Sequence, residues 1–466
     1  MSNRHAAMTI WTEPYADDGK LRPQDATGLD EFLGDQDRSE ITGLGVPFFS
    51  GRNDQINAFR QSVRKLASGR KSNATIVVEG PPGCGKSALL MQYVAELNRY
   101  PAQSGREWLP VVLDGANATS PAEIMRAVDD AIARKLAQQA LQAPRNEQIE
   151  LARTLFAKFV QIQPVEWTFE KLKDIDERGF AAFGLGIGAK TQANQPTSIT
   201  ELPLIRGSQW DGWNIVLLID EAQHIDPTHP NSNMSTLSSI HQGMVNLPII
   251  FCAFGLPDTP QVLRKVGVSR PSSKRKFKLA GLSDNETQMA VNRAFRQFDL
   301  RQSGQLEQQI VSRSNGWPQH LTVYLNAVLS AARPTIESQG HVNAAQIDIA
   351  AVLSDGDQMR RSYYEGRIES LESISLTYEG HAKLLAQHLI AANGPTRIDD
   401  AIRLLVKERA ATIDQASTFL TEAMQCGLLA KSPDGSLLSP IPSFLAYLAS
   451  SAQQHSWAEK PKGLTR

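Results

Sequence analysis

The stretch Gly80-Pro81-Pro82-Gly83-Cys84-Gly85-Lys86-Ser87 constrains this chain more than any other. Its spacing is Gly-x-x-x-x-Gly-Lys-Ser. Glycines let the backbone fold into a concave nest of N–H groups, and a helix start behind it adds a positive dipole end. The residues before it, Thr75–Glu79 (TIVVE), read as a short buried strand. Those after it, Lys86 to Leu97, read as a helix. A chance glycine-rich turn is the competing explanation, and it accounts for neither flank. The expectation is therefore an ATP–Mg²⁺ site lined by Gly80, Pro81, Pro82, Gly83, Cys84, Gly85, Lys86 and Ser87. Lys86 would reach the β- and γ-phosphates, and the Ser87 hydroxyl would ligate Mg²⁺. Cys84 reads as a small residue tolerated in the loop, with redox sensing as the alternative.

A second signal lies at Ile215-Val216-Leu217-Leu218-Ile219-Asp220-Glu221. An aliphatic run suits a parallel strand buried on both faces. Its two carboxylates fall at the strand's C-terminal end, where α/β proteins bind ligands. Asp220 would hold Mg²⁺ through water, and Glu221 would act as general base toward an attacking water. Further strands are expected at Leu109–Asp114, Pro248–Phe254 and near Phe277–Leu282, with helices over Asp54–Ala67, over most of 122–175 and over Ser235–Asn246. Strands alternating with helices imply an α/β fold with a parallel sheet.

The chain has 466 residues, which points to two or three domains. Residues 1–45 read as an extended arm and 46–282 as the α/β core. Within that core, 122–210 forms a helical insertion whose glycine-rich part, Phe180–Lys190, is a hairpin or a loop. Ser283-Asp284-Asn285-Glu286 is a capping box that opens a helical segment, 283–333. A helical linker follows at 334–375. Residues 376–450 show three helical patterns, then Leu428-Leu429-Ala430, a turn at Ser432–Gly435 and Leu437-Leu438, which is the winged-helix order. Residues 451–466 form a tail. The formal net charge is −1, so no global charge excess points to nucleic acid or a membrane. The three cysteines are scattered and lack metal-ligand spacing, which suits a reducing compartment. No apolar run is long enough to span a bilayer. The expected location is the cytoplasm, with no membrane partner.

Asp220-Glu221-Ala222-Gln223-His224 resembles the Walker B segment of AAA+ and related STAND ATPases, particularly origin-recognition-like and transposition-helper types. Ser50-Gly51-Arg52 before a helix resembles their entry motif. Asn315-Gly316-Trp317-Pro318 resembles the Gly-x-Pro of the STAND lid, which adds Pro318 to the expected nucleotide contacts. The resemblance covers roughly residues 45–450. It implies a P-loop NTPase fold with a helical lid and a C-terminal winged helix, ATP hydrolysis, and ATP-dependent homo-oligomers. Two positions depart from the pattern. The stretch Phe254-Gly255-Leu256-Pro257-Asp258-Thr259 brings its polar side chains late, where AAA+ proteins place a sensor after the fourth strand. Trp317, Pro318, Gln319 and His320 include no sensor arginine; His320 either substitutes for it or packs within the lid. The extra glutamine in Asp-Glu-Ala-Gln-His breaks the similar helicase string.

Arg264, Lys265, Arg270, Lys274, Arg275, Lys276 and Lys278 form a basic run with no acidic residue among them. In AAA+ proteins this edge carries an arginine finger, and Ser269-Arg270 matches it best. A solvated loop and a DNA-phosphate patch are the alternatives. In the winged-helix segment the basic groups Lys383, Arg397, Arg403, Lys407, Arg409 and Lys431 are balanced by Asp399, Asp400, Glu408, Asp414, Glu422 and Asp434. The helical pattern Ile413–Cys426 carries no Lys or Arg, which favours a protein contact over base reading. The resulting expectation is an oligomeric motor or regulatory switch in a bacterial multi-protein complex acting on foreign or mobile DNA. The rival is a signalling or anti-phage defence scaffold whose effector chemistry sits in a partner chain.

Overall fold

In a computed structural model, the described residues are 49–68, 74–98, 106–118, 121–159, 166–178, 212–225, 248–268, 275–297, 300–301, 304–339, 342–392, 396–409, 411–432 and 434–449. The arm, the tail, Phe180–Lys190, the expected helix Ser235–Asn246 and Ser269-Arg270 lie outside them. The chain divides into two compact units. One holds Asn53–Glu79 and Tyr93–Phe277. The other holds the stretch up to Arg52, Gly80–Gln92 and everything from Lys278 onward.

The first unit begins with α1 (Asn53–Ala67), followed by β1 (Thr75–Glu79). Helix α2 (Lys86–Asn98) contributes its last turns. Then come β2 (Glu107–Asp114), α3 (Pro121–Leu141), α4 (Gln148–Phe159), α5 (Phe169–Arg178), β3 (Trp213–Asp220), β4 (Ile249–Gly255), α6 (Thr259–Lys265) and β5 (Lys276–Lys278). The sheet order is β2-β3-β4-β1-β5, and the β2–β3, β3–β4 and β4–β1 pairs are parallel. Strands β1, β3 and β4 are buried along their whole length, as continuous aliphatic runs require. The edge strand β2 alternates between buried and more open positions.

One face of the sheet packs on α3, whose Ile124, Val128, Ile132 and Leu136 recur four residues apart and are buried. Leu172 and Ile175 of α5 extend this core, and Phe156 of α4 meets Trp167 edge-on at 5.0 Å. Elsewhere in the unit, Phe59 of α1 stacks on Tyr93 of α2 at 4.1 Å, and Tyr93 meets Phe254 of β4 edge-on. Arg60 clamps Glu96 through two 2.9 Å hydrogen bonds. The register pairs Glu79 with Gly255 and Asp114 with Asp220. The C-terminal ends of four strands therefore fall level, and β1 continues from that edge into Gly80.

The second unit begins at the loop and the first turns of α2. Its helices are α7 (Asp284–Gln297), α8 (Gly304–Ser314) and α9 (Pro318–Gln339), with α10 (Ile349–Glu372) behind them. Short strands β6 (Leu300–Arg301) and β7 (Val342–Asn343) pair in parallel. The expected capping box is present: Ser283 N–H donates to Glu286 Oε2 at 2.7 Å, and Glu286 N–H returns to Ser283 Oγ at 3.3 Å. Val291 and Phe295, Leu306 and Ile310, Leu321, Leu325 and Val328, and Val352 fill one core. A Cβ on Gly356 would strike the Tyr324 ring, so α9 and α10 approach closely there.

Helices α11 (Tyr378–Ala391), α12 (Ile398–Arg409) and α13 (Ile413–Gln425) follow, then the antiparallel pair β8 (Ala430–Lys431) and β9 (Leu437–Leu438), and α14 (Phe444–Ala449). Thr412 and Gln415 cap α13 reciprocally. Arg397, just before α12, bridges Ser436 of the hairpin. Boundaries read from sequence shift by a few residues. The fifth strand shows the largest change: it ends at Lys278 rather than running toward Leu282.

Candidate nucleotide site

The loop Gly80–Ser87 has the shape its glycines predict. Gly83 and Gly85 sit at φ +75° and +91°, the left-handed region that side chains avoid. A Cβ on Gly83 would also lie 2.7 Å from the Tyr363 hydroxyl and 2.9 Å from the Trp317 indole nitrogen. The Lys86 ammonium is buried and turned into the loop, donating to the carbonyls of Gly80 at 3.0 Å and Pro81 at 3.1 Å. A cation held inside a concave backbone is the arrangement a polyphosphate needs. Ser87 lies half-buried on the first turn of α2.

Arg52 secures the loop. Its own backbone is left-handed at φ +62°, and its guanidinium donates to the carbonyls of Cys84 at 3.0 Å and Ala280 at 2.6 Å. Burial lowers its pKa, opposed by the Cys84 and Glu286 side chains. A Cβ on Gly51 would run into the Glu286 carboxylate. The neighbouring Arg293 guanidinium donates to the Phe49 carbonyl. Cys84 is fully buried, and burial raises its thiol pKa against the pull of Lys86 and Arg52. A neutral, enclosed thiol fits the packing role rather than redox sensing.

Asn315 and Gly316 turn left-handed at φ +52° and +70° and end α8, which lets Pro318 open α9. The Gly316 carbonyl accepts from Leu282 N–H at 2.6 Å, and the Gln319 N–H donates to Gly83 O at 3.1 Å. Pro318 lies 3.5 Å from where a Gly85 Cβ would be. Sequence reasoning missed Tyr363, whose hydroxyl donates to the Pro82 carbonyl at 3.0 Å. No motif signals it; it lies far along the chain on α10.

His320 packs within its own unit. It is fully buried, with Nδ1 3.2 Å from the Ser314 carbonyl and Nε2 3.1 Å from the Tyr364 hydroxyl. A carbonyl only accepts, so Nδ1 carries the proton, while Nε2 and the Pro442 carbonyl, 2.7 Å from the same hydroxyl, compete for the single Tyr364 proton. Burial, with Arg360 nearby, lowers its pKa well below the usual histidine value.

In the other unit, Asp220 ends β3 nearly buried, and its Oδ1 accepts from Glu221 N–H at 2.9 Å. Glu221 adopts a left-handed backbone, φ 46° and ψ 43°, which is a strained state for a glutamate. A Cβ on Gly115 would strike the Glu221 carbonyl, so only glycine fits at that point after β2. The Glu221 carboxylate accepts from Gln223 Nε2 at 2.6 Å, and Gln223 Oε1 accepts from Leu256 N–H at 3.0 Å. Past β4, burial raises the Asp258 pKa, with His224 and Lys265 opposing it. Arg270 lies outside the described residues, so the basic run is seen only at its two ends.

Residues 70–261 match the family model described as an AAA domain. No curated protein matches the chain in sequence. Among solved structures, the Aeropyrum pernix ORC2 protein in its ADPNP–ADP complexes is 14% identical with a TM-score of 0.51, covering 90% of this chain and 95% of that one. A Walker-type ATPase of Pyrococcus abyssi is 14% identical with a TM-score of 0.46, covering 86% and 96%. The Aeropyrum pernix ORC1 protein in complex with DNA is 12% identical with a TM-score of 0.40, covering 90% and 95%. The fold likeness rests on the first of these. Residues 70–261 thus match an AAA domain, in a P-loop fold like that of the Aeropyrum pernix ORC2 protein.

Proposed function

We propose that this chain binds ATP with Mg²⁺ and hydrolyses it, using the binding energy and the hydrolysis to drive or switch a larger assembly. The observation that carries the reading is the loop itself: left-handed Gly83 and Gly85 around a buried Lys86 ammonium. The loop N–H groups and Lys86 hold the β- and γ-phosphates. Ser87 and Asp220 supply the oxygen ligands for Mg²⁺, which when bound neutralises phosphate charge. Glu221 accepts the proton of the attacking water, and Arg270 supplies a cation to a neighbouring subunit's site. Pro318 packs against the nucleotide from the lid.

Domain roles follow from this. Residues 46–282 are the ATPase core, 283–333 the lid, 334–375 a linker and 376–450 a winged-helix domain. The order of α11, the Arg397–Ser436 bridge, α12, α13 and the β8–β9 hairpin supports the last assignment. Among the described residues no helix is long and apolar enough to cross a membrane, which suits a cytoplasmic protein.

The output is a homo-oligomeric motor or regulator in a bacterial complex acting on foreign or mobile DNA, with the basic residues of Arg264–Lys278 other than Arg270 as the DNA contact. The balanced charge of 376–450 favours a second reading, in which that domain docks a protein partner and the chain is a defence or signalling switch. ATPase assays with duplex DNA, and separately with the products of neighbouring genes, distinguish the two. Stimulation by DNA supports the first reading; stimulation by a protein alone supports the second.

A further inference from the structure

We propose that Gln223 is a positioning residue for hydrolysis, its carboxamide fixing the Glu221 carboxylate and tying it to the end of β4. The inference rests on the ATPase reading above. A glutamate side chain has three rotatable bonds, and holding it in one orientation costs conformational entropy. The structure supplies that hold from two residues away, with Gln223 Nε2 2.6 Å from Glu221 Oε2. The other end of the same amide accepts the Leu256 N–H at 3.0 Å. A carboxylate only accepts and a backbone N–H only donates. The amide orientation is therefore fixed, and flipping it would break both bonds.

The surroundings are shaped for this reach. A Cβ on Gly255 would lie 2.6 Å from Gln223 Oε1, so the glycine leaves room for the amide at the end of β4. The stretch Phe254–Pro257 offers no polar side chain. The polar contact between β4's end and the catalytic carboxylate runs instead through one backbone N–H and Gln223. Movement of the 255–258 turn would then swing Glu221. His224 Nε2 lies 3.4 Å from the same amide nitrogen, at the margin of a hydrogen bond.

The test compares phosphate release by wild type, Glu221→Gln, Gln223→Ala and Gln223→Glu, with single-turnover rates for the slow variants. Gln223→Glu is the same size and keeps an acceptor for Leu256, but turns an oxygen toward Glu221. Both Gln223 variants should lose about 10- to 100-fold in kcat with an unchanged KM for ATP. In the Glu221→Gln background neither should cause further loss, because the effect passes through Glu221. Wild-type kcat in Gln223→Glu, or an equal loss in both backgrounds, would overturn the proposal while leaving the ATPase reading intact. A wild-type protein that releases no phosphate would remove that reading and this inference together.

Discussion

Tyr363 and Pro82 are joined by one hydrogen bond, the half-buried phenol donating to the loop carbonyl at 3.0 Å across 281 positions of sequence. Burial holds the Tyr363 pKa up at about 12, so the donor keeps its proton at any working pH. Tyr363→Phe keeps the ring and removes the donor, leaving the carbonyl unmet. The expected cost is about 0.5–1.5 kcal/mol, read from the denaturant midpoint, with faster nucleotide release by stopped-flow. An unchanged midpoint and release rate would mean the bond contributes nothing to the loop.

Gly83→Ala tests the loop's shape. The left-handed backbone costs an alanine about 1–2 kcal/mol. The new methyl also meets the Tyr363 hydroxyl at 2.7 Å and Gln319 Cβ at 2.9 Å, so the loop or its neighbours must shift. Nucleotide affinity should fall more than tenfold in fluorescent-nucleotide titration. Affinity within a factor of two of wild type would show that this backbone shape is dispensable.

His320 predicts a pH dependence. Its folded pKa lies below the ordinary value of 6.5, so the folded state favours the neutral ring. Stability from this group is full above about pH 6.5 and falls as the pH drops toward the lowered folded value, because the unfolded chain takes up the proton first. Chemical denaturation from pH 8 to 5 should show the decline. His320→Gln should be less stable at pH 8 and show a flatter profile. Parallel profiles for the two proteins would assign the dependence to other groups.

Much of this was legible in the sequence because its physics is local. Glycine spacing dictates the loop, an unbroken aliphatic run dictates β3, and Ser283 with Glu286 dictates a helix start. The fifth strand was misplaced because Phe277–Leu282 has too few β-branched residues to mark where pairing stops. Tyr363 and Arg52's two carbonyl contacts were not legible in the same way, since they depend on tertiary contacts across long separations. Gln223 was visible as part of the Walker B-like segment and as the residue that breaks a helicase string, with no role of its own. Its bond to Leu256 spans 33 positions and follows from strand order, which no local pattern encodes.

Arg270 is tested by mixing. As a finger acting in trans, Arg270→Ala should bind ATP normally and hydrolyse it poorly under conditions where the wild type assembles. Adding Glu221→Gln subunits should restore part of the activity, because some interfaces then join an intact Glu221 site to a neighbour's intact Arg270. Normal turnover by Arg270→Ala, with a salt dependence of DNA binding shallower by about one charge, would make it a phosphate contact instead.

The central claim is that Gly80–Ser87 binds the nucleotide and Glu221 hydrolyses it. Equilibrium ATP binding and phosphate release, measured on wild type, Lys86→Ala and Glu221→Gln, test both parts together. Lys86→Ala should lose binding, since it removes the loop's side-chain cation. Glu221→Gln should bind as wild type does and hydrolyse about 10²- to 10⁴-fold more slowly. Unchanged ATP affinity in Lys86→Ala, or wild-type turnover in Glu221→Gln, would contradict the account.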